Sequence, residues 1–222
     1  SNKENYKLDI HGYPISVAGV PPDYFSETGQ LWGNPIYNWD IHKKNNYRWW
    51  IDRISHLLTT VDYLRIDHFR GFESYWEIPF GDIDATGGKW IKGPGKDFFN
   101  SIIKSIDSLP IIAEDLGVIT NEINALRDDF YLPGMKVLQF AFDDSKNNDY
   151  LPHNYVKNAV VYTGTHDNNT TNGWYKRATE IEKDNFRRYM NVNDDNPAWS
   201  LMRLASSSCA NTVIFPLQDV IG

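Results

Sequence analysis

The chain has 222 residues, with 22 Lys and Arg against 29 Asp and Glu for a formal charge of −7, and it is 41% hydrophobic and 14% aromatic. This is the composition of a folded globular domain, and a net negative field with scattered basic residues excludes nucleic acid as a partner. No apolar run approaches the roughly 18 to 20 residues needed to cross a bilayer, and the mean hydropathy is −0.52, so a membrane role is excluded as well.

In chain order, Ser1-Asn2 has the form of a protease-cleavage scar, and residues 1–16 are expected to lead into a domain over 17–222. Residues 43–58 place Tyr47, Trp50, Ile51, Ile54, Leu57 and Leu58 at three and four spacing, which predicts a helix with one apolar face packed on a sheet. A β-like run follows at 61–69 (VDYLRIDHF). The Gly-rich stretch 81–96 lacks the spacing of a phosphate-cradling loop and is expected to be a surface loop. Helical segments at 96–107, 120–129 and 178–190 alternate with β-like runs at 109–117, 134–142, 158–167 and 210–219. That order argues for βαβ units and a parallel sheet.

The single cysteine, Cys209, leaves no intramolecular disulfide; it is expected to be a small buried residue before the last strand. The six His form no H-E-x-x-H or i,i+4 pair, so no metal is expected. Eight Trp, thirteen Tyr and eleven Phe are a surplus. Rings of this kind suit the apolar faces of pyranoses, and cores use the same residues; composition leaves the two uses even.

Three strand candidates end in an acid: Asp67, Glu114 and Asp167. In parallel α/β sheets active sites gather at the carboxyl ends of the strands, so three such acids point to one shared site. Period-two alternation puts Arg65 on the same face as Asp67, where its guanidinium keeps that carboxylate ionised and usable as a nucleophile, while Leu64 and Ile66 face the helices. Glu114 follows Ile111, Ile112 and Ala113, an apolar setting that favours the protonated acid. Two carboxylates tuned apart are the equipment of a retaining glycosidase.

The strings RIDHFRGF, IIAEDLG and YTGTHDNNT, in that order, resemble the strand-end motifs of the α-amylase clan of (β/α)8-barrel enzymes. More specifically, residues 17–39 (VAGVPPDYFSETGQLWGNPIYNW) resemble the signature loop of the 4-α-glucanotransferases, also called amylomaltases or disproportionating enzymes. The resemblance runs from about Val17 to Gly222. It implies Asp67 as nucleophile, Glu114 as general acid/base and Asp167 as a third carboxylate that grips sugar hydroxyls. It further implies that Arg65 holds Asp67, that His166 hydrogen-bonds the same sugar, and that Asp23, Tyr24, Phe25 and Trp32 line the glucan path. The implied reaction is a hexosyl transfer with no cofactor, on α-1,4-glucans and maltooligosaccharides, in the cytoplasm or, in a plant or alga, the plastid.

The resemblance also sets an expectation of extent. A (β/α)8 barrel takes about 250 residues, and the strands here begin at what would be the fourth. The expected fold is α/β, the C-terminal part of a TIM (β/α)8 barrel, with the barrel incomplete. An open parallel edge of that kind favours self-association. Two other readings stand beside the transferase: an α-glucan hydrolase of the same clan, which loop 17–39 disfavours, and an inactive glucan-binding module, which has no use for Arg65 and three converging acids.

Overall fold

The computed structural model describes residues 2–23, 26–145, 147–193 and 195–222. They fall into two units, Ser1–Leu132 and Pro133–Gly222.

In the first unit the elements are β1 (Ser16–Val20), β2 (Gln30–Pro35), α1 (Trp39–Lys44), α2 (Arg48–Leu57), β3 (Leu64–Ile66), β4 (Ser74–Pro79), β5 (Lys89–Lys92), α3 (Gly95–Ile106), β6 (Ile111–Ala113) and α4 (Asn121–Asp129). β3 and β6 pair in parallel, with Leu64 opposite Ile111 and Ile66 opposite Ala113. The residues before β1, closed on themselves by a bridge from Leu8 to Pro14, are tied to the rest of this unit by a bridge from Tyr6 to Tyr37 and a 2.7 Å ion pair between Lys7 and Glu77.

An antiparallel sheet in the order β2-β1-β4-β5 takes up much of what the sequence reads as loop. The stretch 17–39 supplies β1 and β2, and the Gly-rich stretch 81–96 supplies the edge strand β5 and the start of α3. Neither announces itself. β2 (QLWGNP) is exposed along nearly its whole length and has no alternation to read, and an edge strand of this kind tolerates Gly and Pro. Gly19 sits at a register shift in the β1–β2 ladder, where a Cβ would lie 2.2 Å from the Gln30 carbonyl oxygen, so only glycine permits the pairing.

The helix expected over 43–58 is broken into α1 and α2. Asn46 and Tyr47 both take left-handed backbone, φ 49° and 54°. Asn adopts that conformation readily; Tyr does so at a cost. The cost is offset by burial of the Tyr47 ring to 2% exposure, edge-on to Phe98 at 5.4 Å, with its hydroxyl donating to Asp97 Oδ2 at 3.0 Å.

That ring belongs to the core of this unit, where Tyr47, Trp50, Ile54, Phe69, Phe72, Phe98, Phe99 and Ile102 pack together and Trp39 and Trp49 lie against them. Much of the aromatic surplus is therefore core: Trp39 stacks on Trp50 at 5.9 Å, and Phe72 packs on Phe98 at 4.7 Å. Phe98 is fully buried and touches Tyr47, Trp50, Phe72 and Phe99. Phe98→Ala is expected to cost about 3–5 kcal/mol in urea unfolding followed by Trp fluorescence. A loss below about 1 kcal/mol would contradict this packing.

The second unit contains β7 (Gly134–Val137), β8 (Ala159–Tyr162), α5 (Thr171–Arg177), α6 (Glu180–Met190), α7 (Pro197–Ser207), β9 (Thr212–Ile214) and α8 (Leu217–Ile221). β7, β8 and β9 pair in parallel, and every residue of β8 is buried, as expected for a strand with apolar runs and helices around it. A capping box joins Thr179 and Glu182 at the start of α6, and the Asn196 side chain caps α7, which has Pro197 in its first turn. The core gathers Leu138, Phe142, Tyr155, Val161, Tyr175, Phe186 and Leu201. Cys209 precedes β9 as expected but is exposed rather than buried, with its Sγ 3.4 Å from the Tyr155 carbonyl oxygen. Its neighbours Ser206, Ser207 and Ala210–Asn211 are polar or half-exposed, so no apolar niche forms there. In both units strand and helix alternate with parallel pairing, the pattern expected for part of a (β/α)8 barrel.

Candidate active site

Ile111, Ile112 and Ala113 bury β6 almost completely, at 1%, 8% and 0% exposure. The residue that follows, Glu114, is drawn into the same apolar ground. Its backbone continues the pairing with β3: its N–H donates to the Ile66 carbonyl at 3.0 Å, and its own carbonyl accepts from Phe69 N–H at 3.0 Å. The in-register pairing of Ile66 with Ala113 thus makes Asp67 and Glu114 the first residues beyond two adjacent parallel strands.

The two acids differ sharply in environment. Asp67 holds its carboxylate 76% exposed, 2.8 Å from Arg65 Nη2, so the face shared by Arg65 and Asp67 is the one alternation predicts. Glu114 is half-buried, and its two oxygens accept from His68 N–H at 2.6 Å and Leu116 N–H at 2.9 Å. Burial pushes the Glu114 carboxyl above its ordinary value; the Leu116 and His68 N–H bonds pull the other way, the Asp67 charge pushes up, and Arg65 pulls down.

His68 is the residue that sequence reasoning passes over. It takes left-handed backbone, φ 50° and ψ 52°, and this aims its N–H at Glu114. A positive φ is uncommon in a non-glycine residue, and here it places a backbone donor against the acid. Burial, helped by the Arg70 guanidinium and opposed by Asp67, takes the His68 ring down to about 4, so it is neutral at pH 7. Nothing in the side-chain pattern reveals a backbone donor; the only signal is a polar residue directly after the strand-end acid.

Trp32 lies edge-on to the His68 ring at 4.8 Å and is 44% exposed, with its indole N–H donating to Gln30 Oε1 at 3.1 Å. Trp32, Arg65, Asp67 and His68 line one cavity of about 630 Å³ in the first unit, whose apolar walls include Tyr37, Trp50 and Tyr75. Asp23 is outside that lining; its carboxylate accepts from Ser26 N–H at 3.0 Å in a local turn. Tyr24 and Phe25 lie outside the described residues.

Asp167 and His166 belong to the second unit, on the loop between β8 and α5. Both are exposed, with His166 Nε2 3.3 Å from Asp167 Oδ1. The turn beneath them is set by Asn168 Oδ1, which accepts from the N–H and the hydroxyl of Thr165 at 2.8 Å each, while Thr165 Oγ1 accepts from Asp167 N–H at 3.2 Å. Among the described residues no three His, Cys, Asp or Glu side chains are grouped to hold a metal ion.

The family model described as 4-alpha-glucanotransferase matches residues 1–222. The chain belongs to the 4-alpha-glucanotransferase family. It is 54% identical over 226 residues to the 4-alpha-glucanotransferase of Synechocystis sp., covering all of this chain and 45% of that protein. It is 46% identical over 223 residues to the chloroplastic/amyloplastic 4-alpha-glucanotransferase of Arabidopsis thaliana, covering all of this chain and 39% of that one. Among solved structures, amylomaltase from Streptococcus agalactiae in complex with acarbose matches with a TM-score of 0.93 at 43% identity, over 98% of this chain and 44% of that chain. This member of the 4-alpha-glucanotransferase family therefore has the amylomaltase fold along its length, part of a (β/α)8 barrel. It spans about half the length of the curated relatives it matches.

Proposed function

We propose that this chain carries the catalytic acids of a 4-alpha-glucanotransferase, which moves an α-1,4-glucan segment to the 4-hydroxyl of another glucan or of glucose through a covalent glucosyl-enzyme intermediate. One observation carries the reading: an exposed Asp67 paired with Arg65, and a shielded Glu114 held by two N–H donors, emerge side by side from paired strands. The family membership of the whole chain supports it.

In the first half-reaction an Asp67 oxygen attacks the anomeric carbon, the bond from that carbon to the departing 4-oxygen breaks, and Glu114 gives its proton to that oxygen. Arg65, paired with Asp67 at 2.8 Å, aligns it for the attack. In the second, the Glu114 carboxylate takes the proton of an acceptor hydroxyl, whose oxygen displaces Asp67 from the anomeric carbon. Two inversions give net retention. Asp167 grips sugar hydroxyls more tightly in the transition state than in the ground state, and His166 hydrogen-bonds the same sugar. Trp32 lines the glucan path, and exclusion of water there favours a sugar acceptor over hydrolysis.

The solved relative bound to acarbose, and relatives named for glucan transfer, support α-1,4-glucans and maltooligosaccharides as substrates. The compartment follows the host: cytoplasm in a bacterium, plastid in a plant, as the chloroplastic/amyloplastic relative suggests. Among the described residues no helix is long and apolar enough to cross a membrane. The test is incubation of the full-length protein with maltotriose. Glucose together with maltooligosaccharides longer than the substrate is the expected result; glucose and maltose alone, with no longer product, would mean water is the acceptor and the hydrolase reading holds.

A further inference from the structure

The loop that carries His166 and Asp167 leaves β8 at Thr163 and reaches α5 at Thr171, both fully buried. Its two ends are joined by one side chain from far along the chain. Asp219, on α8 and 1% exposed, accepts from the Thr163 hydroxyl at 2.6 Å and the Thr171 hydroxyl at 2.6 Å, and from the Thr171 N–H at 2.8 Å. Burying a carboxylate among two hydroxyls and an amide is costly compared with a neutral acceptor. What a carboxylate alone provides is two oxygens with about four lone-pair sites and no competing donor, enough to hold three donors from two separate segments.

A second brace acts on the same loop. Gln139 donates from Nε2 to the Asn169 carbonyl at 3.0 Å and from its backbone N–H to the Thr163 carbonyl at 3.3 Å. Gly164 leaves room for it, since a Cβ there would stand 2.5 Å from Gln139 Nε2. An exposed loop is thereby hung from two buried polar side chains.

We propose that Asp219 is a positioning residue for Asp167: it clamps the exit of β8 to the start of α5 and so fixes where the loop presents the third acid. The proposal rests on the reading of Asp167 as a carboxylate that binds sugar in the transition state. A displacement of about 1 Å in such a group costs on the order of 10²-fold in rate, so the effect falls on turnover more than on ground-state affinity.

The test is a double-mutant cycle in the full-length protein, with maltotriose disproportionation as readout. Asp219→Ala is expected to lower kcat about 10- to 100-fold with KM changed less than about threefold, and Asp219→Asn to lose less than Asp219→Ala yet fall short of the parent, since the amide oxygen still accepts from Thr171 N–H whereas its NH2 cannot accept from the two hydroxyls. In an Asp167→Asn background, Asp219→Ala is expected to cost less than about threefold more. Losses that multiply in the double variant would overturn the proposal, because Asp219 would then act elsewhere. Asp167→Asn with near-parent kcat would instead overturn the role of Asp167, and this proposal with it. Thr171→Val keeps shape and removes one donor, so it serves if Asp219→Ala does not fold: a kcat loss of about 3- to 10-fold that vanishes in the Asp167→Asn background supports the clamp, and an unchanged kcat contradicts it.

Discussion

Asp67→Asn is expected to reduce maltotriose turnover on the order of 10⁴-fold or more while leaving the fold intact. The residue is 76% exposed at the strand end, and its ion-pair partner Arg65, at 2.8 Å, lies on the same face. The amide keeps the shape and a hydrogen-bond acceptor for Arg65, so little stability is lost. It removes the nucleophile proposed above, and with it the covalent intermediate. The substitution has a second consequence that does not depend on activity. The Asp67 charge is one of the causes that raise the Glu114 carboxyl, so neutralising it moves the Glu114 titration to lower pH. Carboxyl-carbon NMR of the Asp67→Asn protein measures this directly. An unmoved titration would mean that the two acids do not face each other, and turnover above about a tenth of the parent would remove Asp67 from the nucleophile's role.

Glu114→Gln is expected to slow transfer from maltotriose about 10²- to 10⁴-fold, the range of a general acid/base. The loss depends on the leaving group. A 4-hydroxyl of glucose departs poorly without a proton, whereas fluoride departs readily, so the first half-reaction on α-maltosyl fluoride is expected to be nearly unaffected. The pH dependence has a definite sign. An acid whose carboxyl lies above the ordinary glutamate value keeps its proton to higher pH, so the alkaline limb of kcat/KM is displaced upward from that of an unshifted glutamate. The cause is burial, opposed by the Leu116 and His68 N–H bonds. In the Glu114→Gln protein that limb disappears. An alkaline limb that stays in place would assign it to another group.

Much of this site was legible because strands end where their apolar runs end. IIA buries β6, and the next residue is necessarily at the sheet's carboxyl edge, so Glu114 and its raised carboxyl follow from four consecutive residues. Arg65 and Asp67 are two apart, and a strand puts such residues on one face. What stayed hidden acts through the backbone or across long separations. His68 reaches Glu114 by its N–H and a left-handed turn, which no side-chain pattern encodes. Asp219 lies 48 and 56 residues from the threonines it holds.

The fold divides in the same way. The parallel strands announced themselves as apolar runs, though each is only three or four residues long where the runs suggested nine or ten. The antiparallel sheet did not, because β2 is exposed and β5 sits at an edge, so neither carries a buried face to read. The break between α1 and α2 was hidden by a sound apolar period: Tyr47 keeps its place in the core while its backbone leaves the helical region.

The most direct measurement is the mass of the peptide that contains residues 61–69 after full-length Glu114→Gln protein is incubated with α-maltosyl fluoride and quenched in acid. With the leaving group spared and the acid/base absent, the first half-reaction proceeds and the second stalls, so the glycosyl enzyme accumulates. A maltosyl adduct on Asp67 is the expected result. No adduct, or an adduct on Asp167 or another acid, would contradict it.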